Sequence, residues 1–168
     1  MRLHFTMLAA MLIASIGSGC ASRTTLTVYC HEGDLVRSDV GQDGSSHGDL
    51  TTWWADVHEV LPESRDPEDS AVVGIASGFN IVTGPVAQMD GRPGHEYRIS
   101  NFHLVWFDSN DEVIWSGLHD YGHEEGTLIN TAERPIIGGS GRFLGHDGVS
   151  VVTPLGDDWF KVDLHLEN

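Results

Sequence analysis

Basic residues are scarce in this 168-residue chain, which has 9 lysines and arginines against 25 acidic residues. Only one of the nine, Lys161, is a lysine. A surface this acidic repels nucleic acid, because nucleic-acid binding depends on the neutralisation of phosphates by basic groups. We therefore expect no nucleic-acid partner. The charge favours solubility and says nothing about the fold.

Cysteine is equally scarce, since the chain has only Cys20 and Cys30. If Cys20 carries a lipid, as argued below, Cys30 has no partner and no internal disulfide can form. The fold must then depend on an apolar core. The roughly 149 residues that follow Gly19 are enough for one domain of ordinary size.

Long apolar runs are missing as well, because none approaches the roughly 20 residues that cross a bilayer. The first residues have instead the order of a secretory signal. Arg2 precedes a short apolar stretch from Met7 to Ile16, and small residues lie just before Cys20. We predict that residues 1–19 are a signal peptide and that the protein is exported.

The tripeptide Ser18-Gly19-Cys20 resembles the end of a bacterial lipoprotein box, although Gly17 stands where a branched apolar residue is usual. The resemblance implies cleavage before Cys20 and a multi-chain lipid anchor on that cysteine in the bacterial cell envelope. Residues 20–24 would be a tether. Plain secretion after another cut is the alternative. Removal of residues 1–19 takes away one basic residue, Arg2, and changes the net charge from −16 to −17.

Helical periodicity is hard to find after Ser22, whereas apolar and polar residues often alternate. The alternation predicts strands at Leu26–His31, Thr51–Val57, Ala71–Thr83, Glu96–Asp108, Val113–His119, Gly148–Val152 and Trp159–Leu166. The intervening segments are predicted to be turns, with Leu35-Val36 as a further short strand. Such a series predicts an all-β sandwich or barrel in a single domain, residues 25–168.

The most specific string of the chain is Ile136-Ile-Gly-Gly-Ser-Gly-Arg-Phe-Leu-Gly145. Its glycines predict a tight turn, and Phe143 and Leu144 are predicted to plug the core beside it. A phosphate-binding loop would need a strand before it and a helix after it. A strand follows here, which argues against phosphate binding.

This string resembles the Gly-Gly-(Ser/Thr)-Gly-x-Phe motif of the allene oxide cyclase and dirigent superfamily. Three further strings resemble superfamily segments in the same order, and a fourth resembles a cyclase string that lies elsewhere: Gly48-Asp-Leu50, Val73-Gly-Ile-Ala-Ser-Gly78, Val28-Tyr-Cys-His-Glu32 and Asp120-Tyr-Gly-His123. The resemblance implies a closed eight-stranded antiparallel barrel whose apolar cavity holds a hydrophobic small molecule. By analogy it also implies a homotrimer. No cofactor is predicted.

The superfamily's functional residues are only partly kept. The glutamate of the cyclase first strand falls on Cys30 and the cysteine of its third strand falls on Asn80, so allene oxide cyclase activity is not expected. The dirigent first-strand aspartate falls on Glu32, which keeps the carboxylate. Alternation puts Val28, Cys30 and Glu32 on one face of the first strand and His31 on the other, where it is structural or exposed.

If that face is inward, Glu32 lies at the cavity mouth as an acid/base, and a solvated glutamate at a strand end is the alternative. Cavity-lining positions are predicted as follows: Val28, Cys30, Trp53, Asn80, Trp106 and Trp115. For the tryptophans the alternative is ordinary barrel core.

The ten histidines raise the question of a metal, above all His119 and His123 beside Asp120, Glu124 and Glu125. A spacing of four in a strand and turn does not put both imidazoles on one side, and no third ligand is dictated, so no metal is predicted. The function expected is the guidance of a stereoselective cyclisation or coupling in the cavity. A non-catalytic ligand-binding or structural envelope lipoprotein is the alternative.

Overall fold

The computed structural model describes residues 23–41, 46–85, 95–122 and 130–167. They form eight strands: β1 (Arg23–Ser38), β2 (Leu50–His58), β3 (Val72–Pro85), β4 (His95–Trp106), β5 (Glu112–Gly122), β6 (Ala132–Ser140), β7 (Asp147–Gly156) and β8 (Trp159–Glu167). Each strand pairs antiparallel with its neighbours in sequence, and β1 pairs with β8. The predicted closed eight-stranded antiparallel barrel is thereby confirmed.

The strand that the alternation missed is β6. The segment Ile136–Ser140 was predicted as a turn, yet it continues a strand whose Ile136 pairs with β5 and β7. Proline and glycine are poor strand formers, so local propensity argued against β6. Pairing with neighbours on both sides overrides that preference. The turn itself is a 3-10 helix at Gly141–Phe143.

The glycines of this string have separate steric roles. A Cβ on Gly139 would lie 2.7 Å from the carbonyl oxygen of Glu112, and Gly141 has a φ of +58° with its Cβ position 1.8 Å from Oδ1 of Asp111. That Asp111 oxygen accepts a hydrogen bond from the backbone N of Arg142 at 3.1 Å. The glycines therefore let the β6–β7 connection pack against the β4–β5 turn.

Phe143 and Leu144, the two residues predicted to plug the core, differ in the structure. Phe143 is buried with its ring centroid 5.0 Å from that of Trp106, as predicted. Leu144 is 76% exposed, so its part of the prediction was wrong. The 3-10 helix ends before Leu144, which points its side chain away from the barrel. Phe143 and Trp106, with Leu104 and Val113, fill this end of the barrel.

The connection between β2 and β3 covers a small cluster on the outer wall. His31 and His58 both lie with ring centroids 5.0 Å from that of Trp159. The Trp159 Nε1–H donates to the carbonyl oxygen of Arg65 at 2.9 Å. His31 is half-buried there, opposite the inward face of β1. Of its two sequence interpretations, the structural one applies.

The first strand begins at Arg23, two residues before the predicted start of the domain at residue 25. Arg23 pairs with Glu167 and Thr24 with Leu166. The predicted signal peptide and Cys20 lie outside the described residues. Within the described part of the chain, no helix is long and apolar enough to cross a membrane.

Candidate ligand cavity

The barrel interior is not fully packed, because it contains an open cavity whose empty space, counted together with solvent at the mouth, is about 740 Å³. Its walls are mostly apolar, with polar side chains at a few positions. Those polar residues are Glu32, Arg37, Thr51, Asn80, Arg98, Tyr121 and Arg134. Leu35 and Arg37, both exposed, mark the mouth. Mainly apolar walls with a few polar groups are typical of small-molecule sites.

A β-bulge in β1 shapes the mouth. Glu32 pairs with Ala55 and Leu35 pairs with Trp53, so β1 has one extra residue between them. The extra residue shifts the in–out alternation of β1 by one position. Glu32 lines the cavity before the bulge, and Leu35 and Arg37 line it after the bulge. At the bulge, Gly33 lies against the Trp54 ring, where a Cβ would be 2.7 Å away. Gly33 is the sequence feature that marks this bulge.

Glu32 lines the cavity and is half-buried. Burial raises the pKa of its carboxyl, the nearby charge of Asp158 raises it further, and Arg37 lowers it. The β7–β8 turn brings Asp158 close, since the backbone N of Glu32 donates to the Asp158 carbonyl oxygen at 2.9 Å. A carboxyl with a raised pKa in an apolar wall is suited to giving or taking a proton.

The other predicted lining residues fall into two groups. Cys30, Trp53, Asn80 and Trp115 contribute to the cavity wall, whereas Val28 and Trp106 are buried in the packed core and are not part of the wall. Trp106 is held there by Phe143, and Val28 by its neighbours in the core cluster.

Cys30 is a free, buried thiol. Burial raises its pKa to about 12, so it stays protonated at neutral pH. Since the thiolate is the nucleophile, Cys30 acts here as a small apolar wall residue.

Phe102 lies at the centre of the aromatic part of the cavity. The Trp115 ring stacks on it with centroids 5.5 Å apart and planes 13° apart, and the Trp53 ring is tilted against it at 5.1 Å. The guanidinium Cζ of Arg134 lies 4.7 Å from the Phe102 centroid. Aromatic and cationic side chains therefore surround a single ring.

A buried polar network extends from this ring toward the β3 and β4 ends. Arg98 forms an ion pair with Glu96, and its Cζ lies 4.5 Å from the Tyr121 ring centroid. The Tyr121 hydroxyl donates to Oδ1 of Asn80 at 3.3 Å, and the Ser100 hydroxyl donates to the same oxygen. Asn80 thus connects β3, β4 and β5.

His119 and Arg134 complete the network. The Arg134 Nε–H donates to Nδ1 of His119 at 3.1 Å, so the proton of this imidazole resides on Nε2, which lies 3.2 Å from the Ser100 hydroxyl. Burial, and then the charges of Arg134 and Arg98, lower the pKa of His119 to about 2. The imidazole is therefore neutral.

Arg134 itself is 1% exposed, and burial lowers its pKa to about 10, so it stays charged at neutral pH. Sequence reasoning missed Arg134 as a cavity residue and His119 as its hydrogen-bond partner. The sequence suggested for His119 only the role of a metal ligand, together with His123, Glu124 and Glu125. Those three residues lie outside the described part of the chain. Among the residues that are described, no three His, Cys, Asp or Glu side chains converge as a metal site would require.

No protein-family model matches the sequence, and no curated protein matches it either. Solved structures do. A pyocyanin demethylase has a TM-score of 0.65 at 17% identity, covering 85% of this chain and 99% of its own. A pterocarpan synthase dirigent protein has a TM-score of 0.62 at 16% identity, covering 98% of this chain and 99% of its own. A Diels-Alderase from Streptomyces koyangensis has a TM-score of 0.59 at 16% identity, covering 90% of this chain and 70% of its own.

At these identities the likeness concerns the fold. It agrees with the resemblance found in the Gly-Gly-Ser-Gly-x-Phe string and the three strings that precede it. The chain therefore has the barrel fold that dirigent proteins share with ring-closing cyclases.

Proposed function

We propose that this barrel binds a hydrophobic small molecule in its cavity and guides its stereoselective cyclisation or coupling. The observation that carries the proposal is the open, mainly apolar cavity with the Glu32 carboxyl in its wall. Structures of the same fold include a cyclase of a [4 + 2] cycloaddition and a dirigent protein.

Two physical effects would produce the activity. Rigid aromatic walls around Phe102 hold a flexible chain in one shape, which lowers the entropic part of the barrier to ring closure. Glu32, with its raised pKa, gives or takes a proton at the reacting end. The thiol of Cys30 and the amide of Asn80 would contribute shape and hydrogen bonding.

A non-catalytic ligand-binding function is the second candidate. It is favoured by Cys30 and Asn80, which stand where the cyclase resemblance would have a glutamate and a cysteine. A cavity that binds without converting its ligand would still need the apolar walls.

The experiment is incubation with a library of lipids and phenolic compounds, followed by mass spectrometry of bound and released molecules. We expect a bound compound to be converted, and Glu32→Gln to abolish conversion while binding is kept. Glu59→Gln, which changes an exposed carboxyl after β2, is the matched control and should convert normally. Binding without conversion would support the second candidate, and the absence of any binding would contradict both.

We further propose that the protein is exported and lipid-anchored through Cys20. If so, Cys20→Ser should release the protein from membranes, whereas Cys30→Ser should leave it membrane-bound. The mass of the mature chain would show the acyl groups directly. A Cys20→Ser protein that fractionates like the wild type would contradict lipid anchoring and favour plain secretion.

A further inference from the structure

Building on the proposed function, we propose that the ligand carries a carboxylate and that the Arg134 guanidinium binds it inside the cavity. The ligand would then have an apolar body and an acidic group, and it would bind in one orientation, with the acidic group at Arg134.

The first argument is the pair of unused donors. Arg134 lines the cavity and is 1% exposed, yet neither Nη1 nor Nη2 has a hydrogen-bond partner. A buried charged group without partners is costly, so such donors are normally matched by an acceptor. The Nη1 and Nη2 edge of a guanidinium matches the two oxygens of a carboxylate.

The second argument is that the guanidinium is already fixed in place. Its Nε–H is bonded to His119, and its plane lies against Phe102 with Cζ 4.7 Å from the ring centroid. Gly117 leaves space for the aliphatic stem, because a Cβ there would be 3.3 Å from Cγ of Arg134. A guanidinium held by its Nε leaves the two Nη groups for the ligand, and little side-chain entropy is lost on binding.

The third argument is charge. The other buried arginine, Arg98, is paired with Glu96. Among the described residues no carboxylate forms an ion pair with Arg134, and its hydrogen-bonding neighbour His119 is neutral. The Arg134 guanidinium is therefore a buried positive charge without an ion-pair partner among the described residues, in a surrounding where electrostatic interactions are stronger than in water. An anionic ligand group would supply the counterion.

A second donor lies beside the same ring. The Nε1–H of Trp115 is buried without a partner, and the Trp115 ring stacks on Phe102, the ring that Arg134 also contacts. A further oxygen of the ligand, a hydroxyl or a carbonyl, would suit this donor. The apolar remainder of the ligand would then fill the space toward Trp53 and the mouth.

The test uses aromatic monocarboxylates of increasing size, 2-naphthoate, 9-anthracenecarboxylate and 4-(1-pyrenyl)butyrate, each compared with its primary carboxamide. The carboxamide has the same size but no charge, and its NH₂ group opposes the guanidinium donors. Dissociation constants come from quenching of tryptophan fluorescence, to which Trp53 and Trp115 contribute. We expect the best-fitting carboxylate to bind about 10- to 100-fold more tightly than its carboxamide, the range of a charge-assisted bidentate contact.

Three variants identify the group responsible. Arg134→Met should abolish the preference for the carboxylate, and Arg134→Lys should keep a reduced part of it, since a lysine retains the charge but not the paired donors. Arg23→Gln removes an exposed cation that does not line the cavity and should leave the preference within about 3-fold of the wild type, since exposed charges interact weakly. If Arg134→Met does not fold, the ratio of the carboxamide and carboxylate dissociation constants in the wild type and in Arg134→Lys still tests the proposal.

The outcomes separate the two proposals. If carboxylate and carboxamide bind equally to the wild type, or if Arg134→Met and Arg134→Lys both keep the full wild-type preference, the carboxylate site is refuted and the cavity function stands. If no member of the series binds in either form, both proposals are refuted.

Discussion

Arg134 and His119 form a hydrogen bond of 3.1 Å between neighbouring strands inside the barrel, with the neutral imidazole as acceptor. The bond fixes the tautomer of the histidine and leaves the two Nη groups of the arginine without a hydrogen-bond partner among the described residues. It also ties the stability of the barrel to pH.

His119 should make the protein less stable in acid. Its pKa is about 2 in the folded state and near 6.5 when unfolded, so below pH 6.5 only the unfolded chain takes up the proton. The contribution of the neutral His119 to the free energy of unfolding is complete above pH 6.5 and is lost as the pH falls toward 2. Between these values the free energy of unfolding should fall by about 1.4 kcal/mol per pH unit more steeply than in His119→Gln. Urea unfolding at several pH values measures both slopes, and parallel curves would contradict the assignment.

Glu32 should change the pH dependence of stability in the opposite direction to His119. Its pKa is raised in the folded state, so the protonated carboxyl favours folding. That contribution is complete below the ordinary pKa and disappears as the pH rises through the raised value. Glu32→Gln should therefore gain stability relative to the wild type as the pH rises through that window, and the difference should then level off. Thermal unfolding across pH 4 to 8 tests this, and a difference that is constant with pH would count against it.

Gly78 should tolerate no side chain, although it lies in the middle of β3. A Cβ there would be 2.2 Å from the carbonyl oxygen of Asn101 in β4, which is backbone and cannot move without disturbing the ladder. We expect Gly78→Ala to destabilise the protein by about 2 kcal/mol or more. Gly138→Ala is the matched control, because its Cβ would meet nothing closer than 4.0 Å. Equal unfolding free energies in the two variants would refute this steric argument.

Phe143 should be essential for closing one end of the barrel. Phe143→Ala removes a buried ring that packs on Trp106, and losses of about 3–5 kcal/mol are usual for such changes. Leu144→Ala changes the adjacent exposed side chain and should stay within about 0.5 kcal/mol of the wild type. Chemical denaturation of both variants gives the comparison. A small effect of Phe143→Ala would mean that this end is closed by other residues.

The homotrimer implied by the resemblance stays a prediction. An apolar row crosses the outer wall in register, from Leu50 through Ile81 and Ile99 to Leu118. The negative charge of the chain opposes association, so we expect the measured mass to rise with salt concentration. Ile99→Asp should lower it. A monomer mass at both low and high salt would contradict the trimer.

The alternating pattern was sufficient to find most strands and to place Cys30 and Glu32 on the same face of β1. Both results follow from the two-residue period of a strand, which is local. The period identifies two faces without saying which is inside. In β4 the apolar Ile99 is exposed while the charged Arg98 is buried, the reverse of what polarity alone would suggest.

The sequence by itself determined the all-β class through the two-residue period of its strands, and the resemblance of its Gly-Gly-Ser-Gly-x-Phe string implied the closed barrel. Only the tertiary structure decided what the cavity contains. Arg134 lies in a Pro- and Gly-containing strand that was read as turn, and its position beside His119 and Phe102 depends on the register of β4, β5 and β6. Register and barrel closure are set by pairing between distant segments, so a local pattern could not reveal that an unpaired guanidinium faces the cavity.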